Sequence, residues 1–165
     1  MDRTELGRQL NLFEEFIPLH MQNRPGTLIT PTSITLHNTS HTGRGANADR
    51  HSKFVRETGY YMWNGRKNWV SWHYTVDDAK VIKQLPLNEV AYHAGRTANK
   101  SSIAIETCMN RDIDQPAADA RLAKLVAALL YDFGWNTDKV VSHQHWTGKN
   151  CPILLLADWN GIITM

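Results

Sequence analysis

Two periods of apolar and polar residues alternate along this chain, and the switches between them mark it as an α/β protein. Ile34-Thr35-Leu36-His37-Asn38-Thr39 and Ser102-Ile103-Ala104-Ile105-Glu106-Thr107 are β-branched runs that read as buried strands. Trp69 to Val76 alternates as a strand, and Asp77-Asp78 turns it into a second at Val81 to Leu85, a hairpin. Helical spacing takes over from Pro116: Ala118, Leu122, Leu125, Val126, Leu129, Leu130 and Phe133 recur by threes and fours on one face, and Gly134 supplies a left-handed cap. A shorter helix is expected from Asp49 to Thr58, stopped at Gly59, after a flexible loop at Gly43-Arg44-Gly45. Val140-Val141-Ser142 reads as a last strand delivering His143, and Pro152 as the opening of a short apolar helix ending near Trp159. The leader, up to the turn Arg24-Pro25-Gly26, is either an extended arm or a short helix around Leu10 to Phe16.

At 165 residues the chain fits a single domain, expected to run over 1–165 with an N-terminal arm at 1–30 and no second domain. A net charge of +2 is too small to argue for nucleic acid. The charged opening Met1-Asp2-Arg3-Thr4-Glu5 is followed by no apolar stretch of signal-peptide or membrane-spanning length. The expectation is a monomer made in the cytoplasm that does not insert into membranes. In that setting Cys108 and Cys151 are expected as free thiols, not as a disulfide.

The chemistry concentrates in Ser142-His143-Gln144-His145-Trp146-Thr147-Gly148-Lys149-Asn150-Cys151-Pro152, where imidazole, ammonium and thiol share one short loop. His37 closes a strand and supplies a second imidazole at a rigid rim. Two histidines and a cysteine make three ligands, and zinc with three protein ligands keeps its fourth position open, the catalytic pattern. No C-x-x-C pair of the structural kind is present. His143 and His145 compete for the same role: they face one way if the strand continues and part if a turn intervenes. His73 reads as a hydrogen-bonded core or pocket residue, His93 as lining a cleft, and His20, His41 and His51 as surface residues.

These motifs, together with Phe16-Ile17-Pro18, Asn23-Arg24-Pro25-Gly26, Ser71-Trp72-His73-Tyr74-Thr75-Val76-Asp77-Asp78, Leu85-Pro86-Leu87-Asn88 and His93-Ala94-Gly95, resemble zinc-dependent N-acetylmuramoyl-L-alanine amidases of the type 2 class. That class includes phage endolysins, bacterial autolysins and peptidoglycan recognition proteins. The likeness runs from about Phe16 to Trp159 and is strongest to lytic enzymes acting on Gram-positive walls. It implies a central mixed β-sheet flanked by helices, with zinc on His37, His143 and Cys151 and with Glu106 and Lys149 beside it. His145 falls where the family varies. It also implies peptidoglycan as substrate, cut between N-acetylmuramic acid and the L-alanine of the stem peptide, on the wall after release. Two stretches depart from the pattern: the loop Gly95 to Ser101 is short and carries Arg96 where an acid is common, and Ile153-Leu154-Leu155-Leu156 replaces basic residues.

The residue chemistry agrees with those roles. Zinc lowers the pKa of its water to about 7 and polarises a carbonyl, which is what amide hydrolysis near neutrality requires. A thiolate ligand leaves the ion a milder electrophile, so a tethered cation at Lys149 compensates at the developing oxyanion. Glu106 closes a buried strand, where desolvation raises its pKa towards that of a useful general base; its plain alternative is a strand-end ion pair. Asn38, Trp72, Tyr92, His93 and Trp146 are the candidate substrate contacts, with core packing the alternative for the aromatics. Two other functions compete: a non-catalytic peptidoglycan-binding module, and a cysteine peptidase whose Cys151 thiolate sits at a helix N-terminus.

Overall fold

The computed structural model describes residues 2–160. In chain order its elements are α1 (Arg3–Leu10), β1 (Leu12–Glu14), β2 (Ser33–Asn38), α2 (Ala48–Glu57), β3 (Tyr60–Trp63), β4 (Arg66–Trp69), β5 (Tyr74–Val76), β6 (Val81–Lys83), α3 (Arg96–Asn99), β7 (Ser102–Thr107), α4 (Gln115–Phe133), β8 (Val140–Ser142) and α5 (His143–Thr147). Six strands form one mixed sheet in the order β1-β6-β5-β7-β2-β8, antiparallel only between β5 and β6; β3 and β4 form a separate hairpin.

Strand alternation divides the labour between the two faces of the sheet. Ile34, Leu36, Tyr74, Val76, Ile103 and Ile105 point to one side and pack on Leu122, Leu125 and Leu129 of α4. Each such side chain contributes about 1.5–3 kcal/mol when fully buried. The intervening positions Thr35, His37, Thr75, Ala104 and Glu106 therefore face the other way, and parallel register sets His37 beside Glu106 and Glu106 beside Thr75. That second side is closed by α2 and by a smaller cluster of Ile17, Val55, Trp72, Leu85, Ala91 and Ala104.

The predicted α4 is present, with Asp114 capping its N-terminus through Ala117 N–H and Gly134 at φ +64 ending it. The Asp77-Asp78 turn also holds: Asp77 accepts from Ala79 and Lys80 N–H, and its other oxygen accepts from Ala48 N–H at the start of α2.

Three expectations fail, each for a local reason. The leader is not an arm, and its helix lies earlier than Leu10 to Phe16: Asp2 caps α1, Leu6 and Leu10 pack on the α4 side, and Arg3 pairs with Asp132 on α4 itself. The chain then turns at Asn11, φ +50, and Leu12–Glu14 becomes an edge strand parallel to β6. The strand expected from Trp69 to Val76 is broken. Its first residue ends β4, whose turn to β3 is Asn64-Gly65 with φ +48 and +73, the strongest hairpin signal in the chain. Pro152 opens a turn and then a 3₁₀ segment, Leu156–Asp158, in place of a regular helix.

Two polar contacts tie the leader and the hairpin base to the body. Arg24 makes a two-pronged bond to Glu89 at 2.8 Å, both side chains about nine-tenths buried, and donates also to the Ile17 carbonyl. The buried Asn23 amide donates to the carbonyls of Val55 and Val70. It can do so only because residue 59 has no side chain. Gly59 and Gly26 share φ near +66, yet a Cβ at 59 meets Asn23 Nδ2 at 2.3 Å and one at 26 meets nothing within 4 Å. Both alanine variants bear a left-handed penalty of about 1–2 kcal/mol. Gly59→Ala is expected to lose roughly 1–3 kcal/mol more, because displaced Asn23 leaves the buried Val55 carbonyl and the part-buried Val70 carbonyl without that donor. Urea unfolding of the two variants measures the difference; equal losses would mean that Asn23 moves aside without cost.

Candidate metal centre

β2, β7 and β8 run parallel, so their carboxyl ends meet at one edge of the sheet, where open α/β sheets place their ligands. His37 and Glu106 are the penultimate residues of β2 and β7. Ser142 ends β8 and accepts from His145 N–H, so a helical turn starts at once and His143 becomes its first residue. Residues two apart on a helix point about 200° apart, which separates the two competing histidines. His143 is buried against His37, whereas His145 is exposed and rests edge-on against Trp146.

Cys151 reaches the same point from the following loop. Its backbone carbonyl accepts from Gln144 N–H, and Asn38 Oδ1 accepts from Leu154 N–H, pinning the loop to α5 and β2. His37 Nδ1 then lies 3.0 Å from His143 Nδ1 and 3.8 Å from Cys151 Sγ, and the three donor atoms lie within 4.8 Å of one another. Zinc bonds of about 2.0–2.1 Å to nitrogen and 2.3 Å to sulfur put tetrahedral donors roughly 3.3–3.6 Å apart, so this set fits such an ion. Burial keeps both imidazoles neutral, pushing His143 down to about 4 and His37 well below its usual value, with neighbouring His93, His143 and Lys149 adding to the effect on His37. Neutral imidazoles are what ligation requires. Burial also pushes the Cys151 thiol up to about 11; a coordinated cation reverses that by binding the thiolate directly.

Glu106 stands just outside the donor set. Its Oε1 is 3.9 Å from His37 Nδ1, its Oε2 is buried without a hydrogen-bond partner, and its side chain is 15 % exposed. Burial lifts its pKa to about 8, against the pull of Lys149. These residues line a cleft of about 790 Å³ that also takes in Asn38, Trp72, Tyr92, His93 and Lys149.

Residues 27–153 match the sequence profile of the N-acetylmuramoyl-L-alanine amidase family. The chain belongs to that family. It is 38 % identical over 154 residues to the N-acetylmuramoyl-L-alanine amidase XlyA of Bacillus subtilis (strain 168), covering 92 % of this chain and 49 % of that protein. CwlH of the same organism is also 38 % identical, covering 91 % of this chain and 58 % of its own length. The chain thus spans about half the length of these curated relatives. The structure of the catalytic domain of XlyA superposes with a TM-score of 0.84 at 38 % identity, over 93 % of this chain and 97 % of that one.

In this amidase-family cleft the donor inventory fixes a tautomer. Trp146 is not a cleft residue: its indole N–H, which can only donate, turns inward to Thr35 Oγ1 at 2.9 Å. Thr35 then donates to Ser102 Oγ at 2.8 Å, and Ser102 donates to the Ala98 carbonyl. With its one proton used, Ser102 can only accept from His93 Nε2 at 3.3 Å, which leaves His93 Nδ1 to accept from His37 Nε2 at 3.0 Å. His37 Nδ1 is left with a bare lone pair aimed at the other two donors. His93 is thus a support of His37 as well as a wall of the cleft. Its own backbone N–H is held by Asn99 Oδ1 from α3, inside the short Arg96 loop.

The remaining histidines divide between core and surface. His73 is buried, accepting from Ala104 N–H at Nδ1 and donating to the Glu89 carbonyl at Nε2. His51 is buried too, against the surface reading, because α2 carries it into the wall of the cleft beside Asn47 and Cys108. His20 and His41 are exposed, and both cysteines are free. Sequence reasoning missed Arg50, Phe54, Tyr61 and Asn68 as cleft residues. Only the Asn64-Gly65 turn signals that a hairpin brings two of them there.

His143→Ala is expected to lose bound zinc, while His145→Ala keeps about one ion per chain. His93→Phe should keep the ion but weaken its affinity about 10–100-fold. Metal analysis and competitive chelator titration read both; zinc lost with His145 and kept without His143 would reverse the assignment.

Proposed function

We propose that this chain is the catalytic part of a zinc-dependent peptidoglycan hydrolase, which cleaves the amide between the lactyl group of N-acetylmuramic acid and the L-alanine of the stem peptide. The observation that carries it is a buried, half-unpartnered carboxylate at Glu106 set against three convergent donors at the floor of an open cleft. His37, His143 and Cys151 would hold the ion. Bound zinc supplies Lewis acidity, polarising the scissile carbonyl and making water acidic enough to yield a proton near neutrality.

The chain's own groups handle the protons and the charge. Glu106 takes a proton from the attacking water and returns one to the departing alanine nitrogen, as the C–N bond breaks and the new C–O bond leaves a carboxylic acid. Its elevated pKa keeps that exchange close to neutrality, and a neighbouring cation draws it down towards the ionised form a base needs. Lys149, at the cleft mouth, offsets charge gathering on the carbonyl oxygen.

The thiol peptidase reading loses its support: Cys151 is followed by a turn, not by a helix whose N-terminus would stabilise a thiolate, and burial raises its pKa. The binding-module reading gains none, since the full donor set is present. Among the described residues no helix is long and apolar enough to cross a membrane. The reading extends to action on the cell wall after release from the cytoplasm.

Glu106→Gln and Lys149→Met should each keep zinc and fold while losing on the order of a hundredfold or more in rate. Mass spectrometry of digested wall should find L-alanine amino termini on intact stem peptides and no new reducing sugars. New reducing ends would mean glycan cleavage, and near-parent turnover in zinc-loaded Glu106→Gln would take the carboxylate out of the reaction.

A further inference from the structure

The β3–β4 hairpin stands beside the cleft with two unlike faces. Antiparallel pairing sets Tyr61 opposite Asn68 and Trp63 opposite Arg66 on one face, with Tyr60 and Met62 opposite Trp69 and Lys67 on the other. The second face is already occupied. Tyr60 and Trp69 meet at 4.9 Å, and the Lys67 ammonium lies 4.3 and 5.5 Å from their ring centres. On the first face Tyr61 is 49 % and Trp63 67 % exposed. Among the described residues neither ring has a stacking or cation–π partner, and Arg66 has no ion-pair partner.

This open face continues the wall of the cleft. Tyr61 and Asn68 line the same cavity as His37 and Glu106, with Trp69 at the hairpin's base, and Trp63 and Arg66 extend the row outward by about 7 Å. The base is held firmly: Val70 N–H donates to the Gly59 carbonyl, and the Val70 carbonyl accepts from buried Asn23. Exposed rings in file on an anchored strand are a binding surface more often than an accident of packing.

The geometry of the face selects its ligand. Tyr61 lies along the flank and Trp63 in the last pair before the polar Asn64-Gly65 turn, so the two rings form a row that runs out from the cleft with a guanidinium and an amide beside it. A pyranose presents a face of C–H groups to the negative face of an aromatic ring, and its edge hydroxyl and acetamido groups suit an amide and a guanidinium alongside. We propose that Tyr61 and Trp63, with Asn68 and Arg66, bind the glycan strand of peptidoglycan next to the scissile amide. The proposal rests on the hydrolase reading above, which seats the muramoyl residue in the cleft.

The test compares the parent chain, the double variant Tyr61→Ala/Trp63→Ala, and Met62→Ala, an exposed side chain on the opposite face. Calorimetric titration with an N-acetylglucosamine tetramer reads sugar binding. Hydrolysis of a soluble monomeric N-acetylmuramoyl-peptide, set against intact sacculi, reads the use of that binding. The double variant is expected to bind the tetramer about tenfold more weakly and to show a KM on sacculi raised to a similar extent, the loss of two ring contacts. Its loss on sacculi should exceed any loss on the monomer by about that factor, whereas every property of Met62→Ala should match the parent. Parent-like tetramer binding in the double variant overturns the proposal, and so does an equal loss in Met62→Ala. A loss confined to binding of phosphatidylglycerol vesicles also overturns it, making the flank a membrane contact. A parent chain that binds the tetramer through this face yet frees no L-alanine amino terminus from the monomer supports the sugar site and removes the hydrolase reading instead.

Discussion

Everything in the site depends on the parallel register between β2 and β7. His37 faces Glu106 because Ile34 pairs with Ile103 and Leu36 with Ile105. A slip of one residue would turn His37 into the α4 core and an isoleucine or leucine into the cleft. The apolar face prevents that slip, since the two branched side chains of β2, Ile34 and Leu36, would have to leave the core, at about 1.5–3 kcal/mol each. The hydrophobic core therefore aims the chemistry as well as stabilising the chain.

A polar layer on the other face turns that aim into a chemical state. Packing alone would leave His37 free to carry its proton on either nitrogen. The Ala98 carbonyl, which can only accept, takes the Ser102 proton, so Ser102 accepts from His93 Nε2 and His93 Nδ1 accepts from His37, while Trp146 and Thr35 donate into the same row from behind. A residue that reads as a substrate contact thus acts from behind the ligand. The same economy appears in Asn38, whose side-chain oxygen holds Leu154 N–H while its backbone continues the strand that carries His37.

How far the sequence was legible follows from which forces are local. β2, β7, α2 and α4 were readable because periodicity and caps are written within each segment, and the donors His37, His143 and Cys151 through their motif. The choice between His143 and His145 turned on one hydroxyl, Ser142, starting a helix where a strand was still possible. The leader defeated the reading because α1 is short, and its stability comes from α4 and from Arg121, which donates to the Gln9 and Leu10 carbonyls. No local pattern records that partner. Asn64-Gly65 was different: the signal was present, and the alternation after Trp69 masked it.

The order of the site residues along the chain has an energetic consequence. The donors sit at 37, 143 and 151, so one loop of about a hundred residues and one of about eight must close before all three donors meet, and loop closure costs free energy that grows only slowly with length. The sheet bears that cost first, since β2–β8 backbone pairing brings residues 34 to 36 against 140 to 142. What remains for the metal is to order the loop from 148 to 151, which is already tied by the Gln144–Cys151 and Asn38–Leu154 contacts. Affinity spent on ordering ligands is affinity lost to binding. A site built on strand ends needs little rearrangement to take an ion, and the cleft beside it stays open along the wall that the hairpin forms.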